Sequence, residues 1–222
     1  MTDLLSAYPP ELAGAPRIGT DEAGKGDYFG DLVVAGVYLD AAMELLATEM
    51  GVTDSKKLSD ARARMLAREI CAVFPHEIVR ISPAKYNELY AKMGSLNRLL
   101  AWAHARVIEN LLPRTGASLV VADQFGNAAV LESALLRGGR RVRLVQLPKG
   151  ERDRAVAAAS IVARAAFLQR LEALSREIGL ELPKGAAHVL PIARALYEKG
   201  GLPLLRRVAK LHFRTTAQVV EA

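Results

Sequence analysis

The sequence predicts an α/β fold, a mixed five-stranded sheet flanked by helices and followed by a helical C-terminal region. Three observations predict it. Two apolar runs, residues 17–22 and 32–39, flank a glycine-rich turn and lie close enough to pair as a hairpin. A third run, SLVVAD over residues 118–123, is apolar almost throughout, which marks a strand buried on both faces. Helical stretches separate the later strands, and strands connected in that way pair in parallel.

The elements follow in order. Residues 1–16 hold Pro9, Pro10 and Pro16 and little periodicity. They read as an arm ahead of one domain spanning residues 17–222. The first strand, 17–22, ends in Asp21 and Glu22, and the turn GKGDYFG follows over 24–30. The second strand, 32–39, is rich in β-formers. Residues 40–50 read as a short helix. A polar loop carrying Lys56 and Lys57 leads to Ser59, a good N-cap for a helix to about residue 74. Residues 77–81 form a third strand, and Ser82 with Pro83 opens another helix. From about residue 95 to 112, Leu96, Leu100, Ala103, Val107 and Leu111 recur at helical spacing, with Pro113 and Gly116 expected to end the helix. The fourth strand, 118–123, again ends in an acid, Asp123. Residues 128–136 read as helix up to Gly138 and Gly139, and 141–146 as the fifth strand. A helix from about 153 to 174 carries so many small residues that it is expected to lie flat on the sheet. Beyond residue 178 the chain is helical in patches, broken at Pro183, Gly200, Gly201 and Pro203.

Composition narrows the function classes. The chain has 222 residues, 51% of them apolar, enough for a substantial core. Its net charge of +6 is compatible with a polyanionic partner. Cys71 is the only cysteine, which excludes a disulfide framework and a cysteine zinc site. The histidines 76, 104, 188 and 212 show no metal-ligand spacing. The N-terminal residues lack the basic start and apolar core of a signal peptide, and no stretch has the apolar length of a membrane span. A cytoplasmic monomer without membrane association is the expectation.

The chemistry centres on residues 17–31. Residues 19–26, GTDEAGKG, nearly spell a phosphate-binding loop, but Gly26 stands where a Ser or Thr should hold Mg²⁺. Asp21 and Glu22 sit where backbone amides would have to cradle phosphate, and two carboxylates repel it. The same acids suit the opposite arrangement, in which carboxylates hold a cation and the cation meets the phosphate. Neighbouring parallel strands bring their C-terminal ends together, so Asp21 and Asp123 are expected side by side, with Glu151 joining from a helix start. Such a cluster repels itself unless it binds cations. Oxygen-only ligands favour Mg²⁺ or Mn²⁺ over zinc, and two such ions can drive phosphodiester hydrolysis.

The chain resembles the type 2 ribonuclease H family from residue 17 onward. DEAGKG at 21–26 looks like that family's DE-x-G-x-G signature, and DSKKLS at 54–59 is similar to its DSKKLS loop. VAD at 121–123 and KGE at 149–151, with AAASIVAR at 157–164, resemble the segments bearing the third and fourth acids. GDYFG at 26–30, Glu151, LPKG at 182–185 and AKLHF at 209–213 look like the HIII branch, and the Gly-Tyr segment usual in the HII branch is not seen. HIII members usually carry an extra N-terminal substrate-binding domain, and only about sixteen residues precede the first strand here, so weaker hybrid binding is expected.

The resemblance implies the ribonuclease H fold and an endoribonuclease acting on RNA/DNA hybrids. Water activated by two ions would cut the RNA strand, leaving 3′-hydroxyl and 5′-phosphate ends. Asp21, Glu22, Asp123 and Glu151 would be the catalytic and metal-binding acids. The turn residues Gly24, Lys25, Gly26, Asp27 and Tyr28 would meet the hybrid where 2′-hydroxyls distinguish RNA. Ser55, Lys56, Lys57 and Lys149 would complete the substrate contacts. For each lysine a solvated surface charge is an equal alternative, and for Tyr28 and Phe29 packing of the turn is the favoured single role. Three other functions stay open: HII-like incision at single ribonucleotides in duplex DNA, a resolvase or integrase on the same fold, and a non-enzymatic nucleic-acid binder.

Overall fold

A computed structural model describes residues 9–126, 128–135 and 139–221. The chain passes through β1 (Arg17–Ala23), β2 (Leu32–Leu39), α1 (Ala41–Glu49), α2 (Asp60–Val73), β3 (His76–Ile81), α3 (Pro83–Met93) and α4 (Leu96–Thr115). It continues through β4 (Leu119–Asp123), α5 (Ala128–Ala134), β5 (Arg143–Leu147), α6 (Arg154–Ile178), α7 (Leu190–Val208) and α8 (Arg214–Val220). The five strands lie in the order β3-β2-β1-β4-β5. β2 pairs antiparallel with both β1 and β3, as a hairpin and its extension. β4 pairs parallel with both β1 and β5.

Alternation along the strands splits the core in two. Val33, Ala35, Val37 and Leu39 of β2 face α6 and α2. Leu32 and Val34, with Ile18 and Val120, face α4. Among the described residues no helix is long and apolar enough to cross a membrane.

α6 lies flat on β1, as its small residues predict. Ala155, Ala157, Ala158, Ala159 and Ala163 are all buried. The approach is so close that a Cβ on Gly19 would sit 2.1 Å from the Ala155 carbonyl carbon. Asp153 caps α6 by accepting from the Ala155 and Val156 amides. Its other oxygen takes a 2.6 Å bond from Arg17 Nε, and both side chains are fully buried. The pair ties the start of α6 to the start of β1.

The elements differ from expectation at a few ends. β5 begins at Arg143, because residues 139–141 form a 3-10 turn first. Pro113 does not end α4. It sits in the last turn, where its missing N–H removes a single bond, and Gly116 in the left-handed conformation makes the stop by donating to Leu112 O. α6 runs on to Ile178 and stops at left-handed Gly179. Pro203 lies inside α7, whose break is the non-helical Gly201. Of the expected N-terminal arm, residues 1–8 lie outside the described residues, as do Leu136 and Gly138 at the expected end of α5.

The Gly19 contact is with backbone, which cannot move aside. Gly19→Ala is expected to lower stability by about 3 kcal/mol or more, read as a shift of the urea unfolding midpoint. A midpoint within error of the parent would contradict the packing of α6 on β1.

Candidate active site

Strand register builds the site. Thr20 pairs with Ala122 across the parallel β1–β4 ladder, so Asp21, two residues before the end of β1, lies beside Asp123, the last residue of β4. Gly150 lies so close to Asp123 that a Cβ there would come within 2.8 Å of the Asp123 Cα. The Gly150 amide donates to Asp123 Oδ1 at 2.7 Å. That bond draws the short turn bearing Glu151 onto the end of β4. All four predicted acids, Asp21, Glu22, Asp123 and Glu151, line one open cleft of about 480 Å³.

The two adjacent acids leave β1 on opposite faces, as strand geometry requires. Asp21 turns toward α6, where the Ser160 hydroxyl favours its ionised form, and its Oδ1 accepts the Glu22 amide at 2.7 Å. Glu22 turns toward α4. Its Oε2 lies 3.2 Å from His104 Nε2 and its Oε1 3.1 Å from Lys25 Nζ.

Charge crowding shows in the proton affinities. Burial, reinforced by the neighbouring charges of Glu22 and Asp123, pushes Asp21 up to about 8. Asp123 is also raised, first by burial and then by Glu22 and Glu151, against the pull of the Gly150 amide. Glu22 goes the other way. Burial opposes its ionisation, but the hydrogen bonds and charges of His104 and Lys25 outweigh it and hold the carboxyl below its ordinary value. Lys56 stands 3.7 Å from Glu151 and is 80% exposed, so this pair is weak.

The donor set fits a hard divalent cation: the four acids are joined by Asp27, Asp54 and Asp60, and no thiol or imidazole is among the cleft-lining residues. Among the described residues, no three His, Cys, Asp or Glu side chains are drawn into one metal-sized shell. Lys25 and Lys56 stand beside two of the acids, Glu22 and Glu151, and offset part of their mutual repulsion.

The expected substrate residues divide. Gly24, Lys25, Gly26, Asp27, Ser55 and Lys56 line the same cleft. Ser55 is only 6% exposed, and its hydroxyl bonds Ser160 at 2.9 Å, so it serves as wall. Lys57 and Lys149 are exposed but do not line the cleft, so they are not brought to the acids. Tyr28 is corrected. Its side chain is fully buried, packed edge-on against Phe29 and Phe213, with its hydroxyl 3.1 Å from Thr216 Oγ1. It anchors the turn and has no surface to offer a substrate.

The turn is held from outside by two C-terminal segments, residues 182–185 and 209–213. The Gly185 amide donates to Asp27 Oδ1 at 2.6 Å, and the Tyr28 amide donates to Gly185 O. The fully buried Lys210 donates to the carbonyls of Asp27 and Gly30 at 2.8 and 2.6 Å. Burial lowers its proton affinity to about 8, although Asp27 and Asp31 pull the other way.

Residues without a role assigned from the sequence complete the cleft or support it from beneath. Arg164 bonds the Ser55 carbonyl and Asp60 Oδ1, and Lys184 bonds Asp60 Oδ2 at 2.5 Å. His104 lies fully buried beneath Glu22. The sequence held a signal for it. His104 falls on the apolar stripe of α4 between Leu100 and Val107, where a polar residue needs a partner.

Known proteins resemble the chain over most of its length. The family model for ribonuclease HII matches residues 18–216. A ribonuclease HIII of Protochlamydia amoebophila is 47% identical over 201 residues, 90% of this chain and 67% of the relative. A ribonuclease HIII of Chlamydia abortus is 41% identical over 211 residues, 93% of this chain and 70% of the relative. The crystal structure of Bst ribonuclease HIII in complex with Mn²⁺ superposes with a TM-score of 0.88 at 33% identity, covering 95% of this chain and 71% of that one.

The raised Asp21 has a consequence for stability. Its folded proton affinity, about 8, lies above its ordinary 3.8. Its contribution is therefore complete below about pH 4 and is lost as pH rises toward about 8. In chelator, Asp21→Asn is expected to melt higher than the parent, with a gap that widens from about pH 5 to about pH 8. Mn²⁺ should narrow the gap by stabilising the parent more. A gap independent of pH would contradict the crowding.

Proposed function

This chain belongs to the ribonuclease HII family and hydrolyses the RNA strand of RNA/DNA hybrids, and we propose that Asp21, Glu22, Asp123 and Glu151 are the acids that do it. The observation that carries the assignment is their convergence on one cleft from three separate segments of the chain. The cofactor is a divalent metal ion. Its identity is proposed as Mg²⁺ or Mn²⁺, which the oxygen-only donor set supports. When bound, such ions supply an activated water and neutralise charge on the leaving oxygen of the phosphodiester.

The chain's own residues divide the remaining work. Asp21 and Asp123, on adjoining strand ends, hold the centre of the site. Gly150 orients Asp123 and carries Glu151 beside it. Lys25, 40% exposed, and Lys56, 80% exposed, stand at the rim with ammonium groups placed to meet the phosphates of the hybrid. The turn presents backbone to the minor groove, where 2′-hydroxyls mark RNA. Gly26 supports this, because a Cβ there would meet nothing within 4 Å. The fold leaves that face open, and a close-lying ligand accounts for the glycine. The products would carry 3′-hydroxyl and 5′-phosphate ends. The reading includes a cytoplasmic, monomeric enzyme.

Family membership removes the non-enzymatic binder. One alternative retains a specific observation: the matching family model is that of ribonuclease HII. Its branch is distinguished by incision at a single ribonucleotide embedded in duplex DNA. An HIII-like enzyme should cut a continuous RNA strand well and the single ribonucleotide poorly, with Mg²⁺ or Mn²⁺. Efficient incision at the single ribonucleotide would assign HII-like specificity.

Asp123→Asn is expected to lower hybrid cleavage more than about 100-fold, the loss found for partners one shell further out. Near-normal cleavage would remove Asp123 from the site. Gly26→Ala should stay within about 0.5 kcal/mol of parent stability yet raise KM for the hybrid. An unchanged KM would place the turn away from the substrate.

A further inference from the structure

We propose that His104 is a positioning residue for the metal site, fixing Glu22 from beneath through a buried Thr20–His104–Glu22 chain. The inference rests on the reading of Glu22 as a metal ligand.

The need for such a residue follows from strand geometry. Glu22 leaves β1 toward α4, away from the face where Asp21 meets Ser160. Left alone, a glutamate has three side-chain torsions to order before it can hold an ion in one place. His104 removes that freedom. Its Nε2 stands 3.2 Å from Glu22 Oε2 and its Nδ1 2.9 Å from Thr20 Oγ1. An ionised carboxylate only accepts, so Nε2 carries the proton directed at Glu22. The Thr20 hydroxyl can donate or accept and so satisfies Nδ1. His104 and Thr20 are both fully buried, and the imidazole stacks on Phe125 at 4.7 Å. The ring is thus clamped by a hydroxyl at one nitrogen and by an aromatic face.

The two oxygens of Glu22 have unequal partners. Oε2 is bonded to the fixed, buried imidazole, whereas Oε1 is bonded to Lys25, whose side chain is 40% exposed. Lys25 can swing away without disturbing the core. His104 cannot. The histidine therefore decides which oxygen of Glu22 is presented to the cleft, where Lys25 is its exposed and movable neighbour.

The test is Mn²⁺ binding by calorimetry, without substrate, on the parent and on His104→Phe, His104→Gln, Thr20→Val and Glu22→Gln. Phe keeps a ring on Phe125 but has no donor. Gln restores an N–H. Val matches the shape of Thr20 and removes its hydroxyl. His104→Phe is expected to weaken Mn²⁺ binding about 10- to 100-fold, with His104→Gln recovering most of the loss and Thr20→Val falling between. Thermal melts in chelator establish that each variant is folded. Should His104→Phe not fold, Thr20→Val carries the test. Parent-like affinity in the folded histidine variant, or in Thr20→Val when it stands alone, overturns the inference. So does a Gln variant no better than Phe. If Glu22→Gln weakens binding and the histidine and threonine variants do not, positioning fails alone. If Glu22→Gln binds like the parent, the ligand reading of Glu22 fails as well.

Discussion

Thr20 pairs with Ala122 across the parallel β1–β4 ladder, and that register sets two carboxylates from distant parts of the chain next to each other. Such a juxtaposition is unfavourable by itself, and it adds to burial, the larger cause, in pushing the Asp21 carboxyl up to about 8. The surrounding structure holds the acids together against that repulsion. α6 is pressed onto β1 at Gly19 and tied there by the buried Arg17–Asp153 pair. Gly150 brings the Glu151 turn onto the end of β4. Each device depends on a residue too small, or a pair too buried, to be exchanged freely.

A second constraint runs through the glycine turn. One flank faces the cleft, while the other is docked on the C-terminal segments through Asp27, Tyr28, Gly30 and Lys210. The C-terminal segments therefore serve the site without lining most of it. Lys210 is fully buried to hold two carbonyl oxygens, and a buried ammonium is tolerated only with such partners. The arrangement gives the turn a fixed back and an open front.

Much of this was legible in the sequence because local rules and global fold agree. The apolar run at 118–123 and the small residues of α6 predicted a doubly covered strand and a close helix, and both are present. The acids at strand ends were legible for the same reason, since parallel neighbours share an edge. Other parts depended on contacts that spacing does not encode. The burial of Tyr28 is imposed by Phe213 and Thr216, which lie far along the chain. Pro113 looked like a stop, but in a final turn it removes only one bond. His104 reads in the sequence as one of four scattered histidines, because its partners Thr20 and Glu22 come from β1.

The central claim is that one cation site is shared by the ends of β1 and β4. Anomalous diffraction from a crystal soaked in Mn²⁺ tests it most directly. The account predicts an anomalous peak ligated by carboxylate oxygens of both Asp21 and Asp123, with Glu151 or Glu22 contributing a further oxygen. Manganese bound by only one of the two aspartates, or away from the cleft, would contradict it.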